Sequence, residues 1–290
     1  MRIGTRASAL ALAQAHWVAG QLGSGVQIVE ITTLGDRGAG PQDKSRWVSE
    51  LERALLDGRI DIAVHSAKDV PTELPEGLEL VAIPERAEAR DVICGAASVA
   101  DLAAGSRVGT SSLRRAAQLR ALREDVEVAE LRGNVDTRLR KLAAGQVDAI
   151  VLAAAGLERL GRGGEAGGLL EEFVPAAGQG ALALEARAGA IAPEHLTAVS
   201  DARATACVTA ERALVHALGA SCHTPVGAHA RELEDGRLTV TGWVGLPDGS
   251  AWLRDEITGD AGTVGRRCAE RMLAAGAADL LRSAEAEAVA

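Results

Sequence analysis

The sequence predicts an α/β protein with two similar lobes followed by a smaller α+β part. Three observations support this prediction. Helix and strand patterns alternate through the first two-thirds of the 290 residues, which is typical of parallel α/β architecture. Two stretches of that alternation echo each other, and the pattern changes after about residue 200. No apolar run reaches the roughly 18 residues that a membrane span needs, so no membrane partner is expected.

In the first lobe, short apolar runs bounded by turn residues predict four strands and two helices. The strands are expected at 1–5, 26–33, 60–65 and 78–83, and the helices at 7–22 and 48–56. In the second lobe the strands are expected at 106–109, 126–131 and 147–153, and two helices at 112–122 and 135–144. A third helix is expected after the last of these strands and up to Leu160. The apolar runs at 62–64 and 149–152 suit strands covered on both faces.

The two lobes also resemble each other in their residues. Gly-Thr-Arg-Ala-Ser at 4–8 precedes a helix, and Gly-Thr-Ser-Ser at 109–112 precedes another. The spacing of later matching residues differs between the two stretches, so they indicate two related lobes and not a tandem solenoid. Two such lobes imply a cleft between them.

After about residue 200 the pattern predicts an α+β domain. It consists of a helix at 202–218, a loop at 219–227, strands near 238–244 and 251–257, and a final helix at 262–281. We therefore divide the chain into domain 1 at 1–84 and 181–199, domain 2 at 90–174 and domain 3 at 202–290.

The charge distribution points to a small anionic ligand. The formal net charge is −9, which disfavours nucleic-acid binding, and one Phe with no Tyr leaves few rings for base stacking. The window 107–141 nevertheless holds nine cations against five acidic residues. This local excess indicates a discrete anion site inside an acidic chain.

Two helix N-termini in the second lobe are candidates for that site. Thr110-Ser111-Ser112 precedes a helix that carries Arg114 and Arg115, so capping hydroxyls, backbone N–H groups and two guanidinium groups would lie together. A second helix N-terminus of this type is formed by the segment 132–134 together with Arg138. The alternative is a pair of ordinary capped helices with solvated arginines.

Asp69 is a candidate catalytic carboxylate because it lies just beyond the carboxyl end of a buried strand, where α/β sheets place ligand groups. The alternatives are a turn-forming Asp before Val-Pro and an ion-pair partner for Lys68.

Cys222 differs from Cys94, Cys207 and Cys268 in lying in a loop, whereas the other three lie in apolar stretches. A structural role, a zinc site from Cys222, His223 and His229, and a Cys-His hydrolase are the alternatives to a reactive thiol. The usual paired-ligand spacing of zinc sites is missing, and adjacent Cys and His cannot easily form a nucleophile-base contact. Four scattered cysteines and a chain that begins directly with a strand pattern indicate a reducing cytoplasm.

Six motifs occur in one order along nearly the whole chain. They are Gly-Thr-Arg-x-Ser-x-Leu-Ala, Asp-Ile-Ala-Val-His-Ser-x-Lys-Asp-Val-Pro, Val-Gly-Thr-Ser-Ser-Leu-Arg-Arg, Leu-Arg-Gly-Asn-Val-x-Thr-Arg-Leu, Pro-Ala-x-Gly-Gln-Gly and Val-Thr-Ala-Glu-Arg-Ala. In these motifs the chain strongly resembles the porphobilinogen deaminase family, also called hydroxymethylbilane synthases.

The resemblance implies three domains, of which the first two are similar to the lobes of type II periplasmic binding proteins. It implies a transferase that joins four porphobilinogens head to tail, releases ammonia each time, and frees hydroxymethylbilane by hydrolysis. Growth occurs on a dipyrromethane cofactor held by a thioether to a cysteine that matches Cys222, and the catalytic aspartate matches Asp69. The implied partner is porphobilinogen, the implied state is a monomer, and no metal is implied.

The remaining site residues follow from motif positions. The resemblance assigns the cofactor to Lys68, Thr110, Ser112, Arg114, Arg115, Arg132 and Arg138. It assigns the substrate to Arg6, Ser8, Gln14, Arg132, Arg138 and Arg159. Lys44 and Trp47 would belong to a lid at 35–47.

This chain departs from the family pattern in two places. It has Ala220-Ser221-Cys222 where Gly-Gly-Cys is usual, and its lid is shorter, with Trp47 where a Phe is usual. Two rival functions stay open. One is a two-lobe solute-binding or effector-sensing module, which predicts no role for Cys222, and the other is an unrelated anion-processing transferase.

Overall fold

The computed structural model describes residues 1–34, 45–220 and 224–289. Its strands are β1 (Arg2–Thr5), β2 (Gln27–Glu30), β3 (Ile62–Ser66), β4 (Leu78–Ala82), β5 (Asp91–Cys94), β6 (Arg107–Thr110), β7 (Glu127–Glu130), β8 (Ala149–Ala153), β9 (Gly168–Leu170), β10 (Leu182–Arg187), β11 (Val226–Glu232), β12 (Leu238–Gly245) and β13 (Trp252–Gly259). Its α-helices are α1 (Ala9–Leu22), α2 (Ser45–Leu56), α3 (Leu113–Leu122), α4 (Val135–Ala143), α5 (Ala154–Arg159), α6 (Ala202–Ala217), α7 (Val264–Ala274) and α8 (Ala277–Val289).

The first lobe is a five-stranded sheet in the order β2-β1-β3-β10-β4. Strand β1 pairs in parallel with β2 and β3, whereas β10 runs antiparallel to both β3 and β4. Its central strand β3 is buried on both faces. Ile62 and Val64 pack in the cluster that contains Val18 of α1, and Ala63 packs in the cluster that contains Leu51 of α2.

The second lobe repeats this arrangement as β7-β6-β8-β5-β9. Strand β6 pairs in parallel with β7 and β8, and β5 runs antiparallel to β8 and β9. The alternating pattern in the sequence had predicted parallel sheets, but each sheet is mixed. In both, the antiparallel strand lies in the fourth position, and no α-helix separates it from the strand that precedes it in the chain.

The C-terminal part is an antiparallel sheet in the order β11-β12-β13, with α7 and α8 packed against it. The fold class implied by the resemblance, two similar α/β lobes with a C-terminal α+β part, is therefore confirmed. Within the described ranges, no helix is both long and apolar enough to cross a membrane.

Two predictions for the C-terminal part are wrong in detail. The helix expected at 262–281 is two helices, because Gly276 between α7 and α8 has a φ of 102° that L side chains rarely adopt. The loop expected at 219–227 ends earlier, since β11 begins at Val226. Strand β11 was not predicted, because its Val-Gly-Ala-His-Ala-Arg-Glu sequence is poor in β-forming residues.

The chain divides into two compact units. One contains residues 1–87 and 180–208, and the other contains 88–179 and 209–290. The finer division into three domains, with boundaries at 84, 90, 174, 181, 199 and 202, stays a prediction.

Candidate functional site

Asp69 and Lys68 lie in a short 3-10 turn, Ala67–Asp69, which directly follows β3. At the start of the turn, the Ala67 N–H donates to the Ala181 carbonyl at 3.0 Å. Ala181 directly precedes β10, which pairs with β3. The Val70 N–H closes the turn onto the Ala67 carbonyl at 3.3 Å. Both Lys68 and Asp69 are half-buried. The structure thus places Asp69 at the strand end, as the sequence predicted.

Other predicted site residues of the first unit lie near the ends of β1 and β3. Ser8 is the N-cap of α1, and its Oγ accepts from the Ala11 N–H at 3.3 Å. Gln14, which is 3% exposed, donates through Nε2 to Ser66 Oγ at 2.9 Å, so α1 is joined to the end of β3.

Arg6 lies over the ring of Trp47, with 4.1 Å between the guanidinium carbon and the ring centroid. This is a cation–π contact, which places a positive charge and an aromatic face side by side. Trp47 was predicted to belong to a lid, but it lies in α2. The predicted lid residue Lys44 lies outside the described residues.

In the second unit, the hydroxyl groups predicted at the start of α3 are in place. Thr110 is buried at the end of β6, and its Oγ1 accepts from the Ser112 N–H at 3.1 Å. Ser112 is the N-cap of α3, where its Oγ accepts from the Arg115 N–H at 3.4 Å. A helix start of this kind favours anions through its N–H groups and dipole.

Arg114 and Arg115 are not the solvated arginines of an ordinary capped helix, because both are 6% exposed and face a buried carboxylate. Asp91 Oδ2 lies 2.7 Å from Arg114 Nη1, and Asp91 Oδ1 lies 2.9 Å from Arg115 Nε. The two guanidinium groups outweigh the burial of Asp91 and hold the pKa of its carboxyl well below its usual range. Two cations therefore share one anion.

Arg138 adds a third cation close by. Its Nη2 donates to Ser111 Oγ at 2.9 Å and its Nε donates to the Gly133 carbonyl at 2.8 Å. Burial and, next in size, the nearby charge of Arg115 lower the pKa of Arg138 to about 10. Within the described part of the chain, no carboxylate lies at ion-pair distance from Arg138.

Arg132 and Arg159 have different surroundings. Arg132 is exposed, and its Nε donates to Glu130 Oε1 at 2.6 Å. Surface pairs of this kind contribute little and exchange easily. Arg159 is half-buried at the end of α5, where burial lowers the pKa of its guanidinium.

Cys222 lies outside the described residues, as does His223. The cysteines within the described ranges, Cys94, Cys207 and Cys268, are buried and not disulfide-bonded. Burial raises the pKa of the Cys94 and Cys268 thiols to about 11, so these two are poor nucleophiles.

His229, the third member of the alternative zinc site, lies in β11. Its Nδ1 is 3.4 Å from Glu211 Oε1. Among residues 1–34, 45–220 and 224–289, no group of three His, Cys, Asp or Glu side chains is arranged to hold a metal ion.

Sequence reasoning missed Asp91 and gave no role to Gln179. Asp91 opens the buried strand β5, so an acidic residue directly before the apolar Val92-Ile93-Cys94 was a signal that could have been used. Gln179 lies in the Pro-Ala-x-Gly-Gln-Gly motif, and its Nε2 donates to Asp91 Oδ1 at 2.8 Å.

The chemistry of this cluster suits a ligand that carries several carboxylates. Arg114 and Arg115 share one acid, and Arg138 lies beside them with a desolvated charge. Guanidinium groups bind carboxylates through paired hydrogen bonds, and the start of α3 adds backbone donors. A dipyrromethane with acetate and propionate side chains fits this donor set.

Comparison with known proteins gives consistent matches. A family model described as porphobilinogen deaminase, dipyromethane cofactor binding domain, matches residues 1–193, and the C-terminal domain model of the same family matches residues 205–274. The porphobilinogen deaminases of Deinococcus deserti and Thiobacillus denitrificans are both 48% identical to this chain. The alignments cover 97% of this chain with 98% and 97% of those proteins, respectively.

Solved structures are more distant. The methionine-binding protein MetQ aligns with a TM-score of 0.44 and 14% identity, over 68% of this chain and 87% of its own.

Proposed function

The chain belongs to the porphobilinogen deaminase family, and on that premise we propose that it joins four porphobilinogens head to tail into hydroxymethylbilane with release of ammonia. The observation that carries the site assignment is the surplus of buried cations at the start of α3. Each porphobilinogen brings one acetate and one propionate, so a growing chain presents many carboxylates to such a surface.

The arginines of the second unit bind these carboxylates. Arg138 is the strongest candidate, because its half-buried charge has no carboxylate at ion-pair distance among the described residues and lies beside Arg115. A bound carboxylate would relieve that repulsion. Arg132 would exchange Glu130 for a ligand carboxylate, while Thr110 and Ser112 order the helix start.

Asp69 is the catalytic carboxylate in this proposal. The turn after β3 fixes the backbone of Asp69. Its side chain is half-exposed, so a substrate can reach it. Positive charge develops on the pyrrole nitrogen as the aminomethyl group loses ammonia, and a carboxylate held nearby stabilises that charge. The residues assigned to the substrate's carboxylates in this proposal are Arg6, Ser8, Gln14 and Arg159, while Lys68 is assigned to the cofactor.

The dipyrromethane cofactor is attached through Cys222. When bound, it supplies the pyrrole end to which the first porphobilinogen is joined. Two of the other thiols, Cys94 and Cys268, are buried and have raised pKa values, which disfavours attachment at either.

The test is the intact mass of the purified protein made in a host that produces porphobilinogen. We expect a mass above that of the sequence by two linked pyrrole units. Cys222→Ser should remove the added mass, whereas Cys94→Ser, Cys207→Ser and Cys268→Ser should keep it. An unmodified wild-type protein would refute the cofactor assignment and favour a solute-binding module.

We also propose that the enzyme acts in the cytoplasm as a monomer. Cysteines that are buried and not disulfide-bonded, as Cys94, Cys207 and Cys268 are, suit a reducing compartment. Sedimentation equilibrium of the loaded protein tests the monomer, and a mass near 29.8 kDa is expected.

A further inference from the structure

Four buried side chains of the second unit form one hydrogen-bonded cluster, which we call the Asp91 network: Asp91, Arg114, Arg115 and Gln179. Each is 6% exposed or less. They come from β5, from α3 and from the Pro-Ala-x-Gly-Gln-Gly segment, so the network joins parts of the chain that are far apart in sequence.

Both oxygens of the Asp91 carboxylate accept hydrogen bonds, Oδ1 from three residues and Oδ2 from one. Oδ1 accepts from Arg115 Nε at 2.9 Å, from Gln179 Nε2 at 2.8 Å and from Arg114 Nη2 at 3.2 Å. Oδ2 accepts from Arg114 Nη1 at 2.7 Å. Charge-assisted bonds of this number and geometry leave the carboxylate one orientation.

The same network fixes the two guanidinium planes. Arg114 Nη1 also donates to the Val174 carbonyl at 2.8 Å, and Arg115 Nη1 donates to the Val151 carbonyl at 3.1 Å. Among the described residues, Arg114 keeps its Nε–H and one Nη2–H without a hydrogen-bond acceptor. The hydrogen bonds of the other N–H groups fix the guanidinium plane and so the direction in which these two donors point.

We propose that Asp91 is a positioning residue for carboxylate binding: it orients the paired guanidinium groups of Arg114 and Arg115 so that the remaining donors of Arg114 meet the cofactor. This inference rests on the proposed function, in which these arginines hold dipyrromethane carboxylates. Preorganisation would increase the affinity for carboxylates, because guanidinium groups that are already held in place lose less conformational freedom when a ligand binds.

Charge alone predicts the opposite effect of removing Asp91, which makes the inference sharply testable. Asp91 cancels one of the two arginine charges, so Asp91→Asn makes the site more positive. If Asp91 acted only as a neutralising charge, the variant would bind an anionic ligand faster or more tightly. If Asp91 positions the arginines, the variant binds it more slowly despite the extra charge.

The experiment follows loading of the full chain. Protein is purified without cofactor from a host that makes no porphobilinogen, then mixed with porphobilinogen, and the mass gain of two pyrrole units is followed over time. We expect loading of Asp91→Asn to be at least about 10-fold slower than wild type. Asp91→Glu, which keeps the charge but displaces the carboxylate, should also load slowly. Wild-type or faster loading of Asp91→Asn overturns the inference.

Removing one member of a buried ion pair leaves the other charge uncompensated, so the Asp91 variants can fail to fold. Gln179→Met serves in that case, because it keeps every charge and removes the amide that donates to Asp91 Oδ1 and to the Ala89 carbonyl. Loading at least about 3-fold slower supports the inference, and loading at the wild-type rate overturns it.

Two further variants separate this inference from the proposed function. Asp61→Asn is the matched control, since Asp61 also pairs with an arginine, Arg2 at 2.7 Å, and is expected to load normally. Arg114→Ala tests the proposed function itself. Normal loading of Arg114→Ala refutes the role of that arginine, whereas slow Arg114→Ala with normal Asp91→Asn refutes only the positioning by Asp91.

Discussion

The two lobes have the same strand order but opposite buried charge. In the first lobe, His65 Nε2 and Glu185 Oε2 lie 2.9 Å apart with both side chains buried, and Glu52 of α2 is close enough to feel their charges. In the second lobe, two arginines surround Asp91. The first cluster contains two acids and one histidine, and the second contains two cations and one acid.

This difference shows that sheet topology and buried electrostatics are set independently. Equivalent sheets can bury either sign of charge, because the partners of a buried charge are side chains and not the strand ladder: His65 pairs with one oxygen of Glu185, and Arg114 and Arg115 pair with Asp91. The cation-rich lobe is suited to bind carboxylates. The lobe with the acidic cluster has Asp69 just after the end of a central strand, and the proposed function assigns this carboxylate the stabilisation of positive charge in the substrate.

The strongest test of this division is Asp69→Asn. Because the proposed role of the first lobe is electrostatic, we expect turnover to fall by about 10²–10³-fold or more with the cofactor still attached. Steady-state turnover and intact mass are measured on the same sample. Asp57→Asn, at an exposed residue of the same unit, is the control and should be near wild type. Near-wild-type turnover of Asp69→Asn would make Asp69 a turn residue.

The acidic cluster of the first lobe predicts a pH-dependent stability. Burial, and next the charge of Glu185, raise the pKa of Glu52 to about 7 from its ordinary value of 4.5. The folded protein therefore keeps a proton that the unfolded chain loses between those values, and stability falls as pH rises from about 4.5 to 7. We expect Glu52→Gln to be more stable than wild type at pH 8 by on the order of 2–3 kcal/mol and nearly equal at pH 4.5.

Denaturant unfolding at the two pH values measures this effect. Glu50→Gln, on the same helix, is the matched control and should show no comparable pH-dependent gain. An equal effect of Glu52→Gln at both pH values would contradict a raised pKa of Glu52.

The cation-rich lobe is tested by Arg138→Ala. A charge-assisted hydrogen bond to a carboxylate contributes about 1.5–3 kcal/mol, so we expect cofactor loading or early chain growth to weaken by about 10–100-fold. Arg132→Ala should impair the same steps. Arg282→Ala, at an exposed arginine of α8, should be neutral. Equal activity and cofactor content in the Arg138, Arg132 and Arg282 variants would refute the anion site.

The smallest effect is expected at Arg6, the cation that lies over the Trp47 ring in the first lobe. Arg6→Gln removes the cation over Trp47 and should lower the free energy of unfolding by about 0.5–1 kcal/mol while shifting the tryptophan emission. Arg53→Gln, at an exposed residue of α2, is the control. An unchanged emission spectrum would show that the contact does not persist in solution.

Much of the local structure could be predicted from the sequence. Capping hydroxyls were predicted in Thr110-Ser111-Ser112 at the start of α3, and Ser112 is the N-cap, because an N-cap needs only a hydroxyl group and the next few N–H groups. Strand β3 and the position of Asp69 beyond it were also predicted correctly, since a continuous apolar run followed by polar residues carries both signals. Strand β5 was missed because it is four residues long and begins with a charged side chain.

The sequence by itself determined the family, the two-lobe repeat, the helix caps and the position of Asp69 at a strand end. These depend on residues close together in the chain or on motif order. Only the tertiary structure decided that β10 enters the first sheet antiparallel and that Arg114 and Arg115 converge on Asp91. Asp91 and Arg114 are separated by 23 residues and Asp91 and Gln179 by 88, and a pairing over such distances exists only once the sheet has formed. Local propensity does not encode which buried charges meet, because that depends on where the folded chain excludes water.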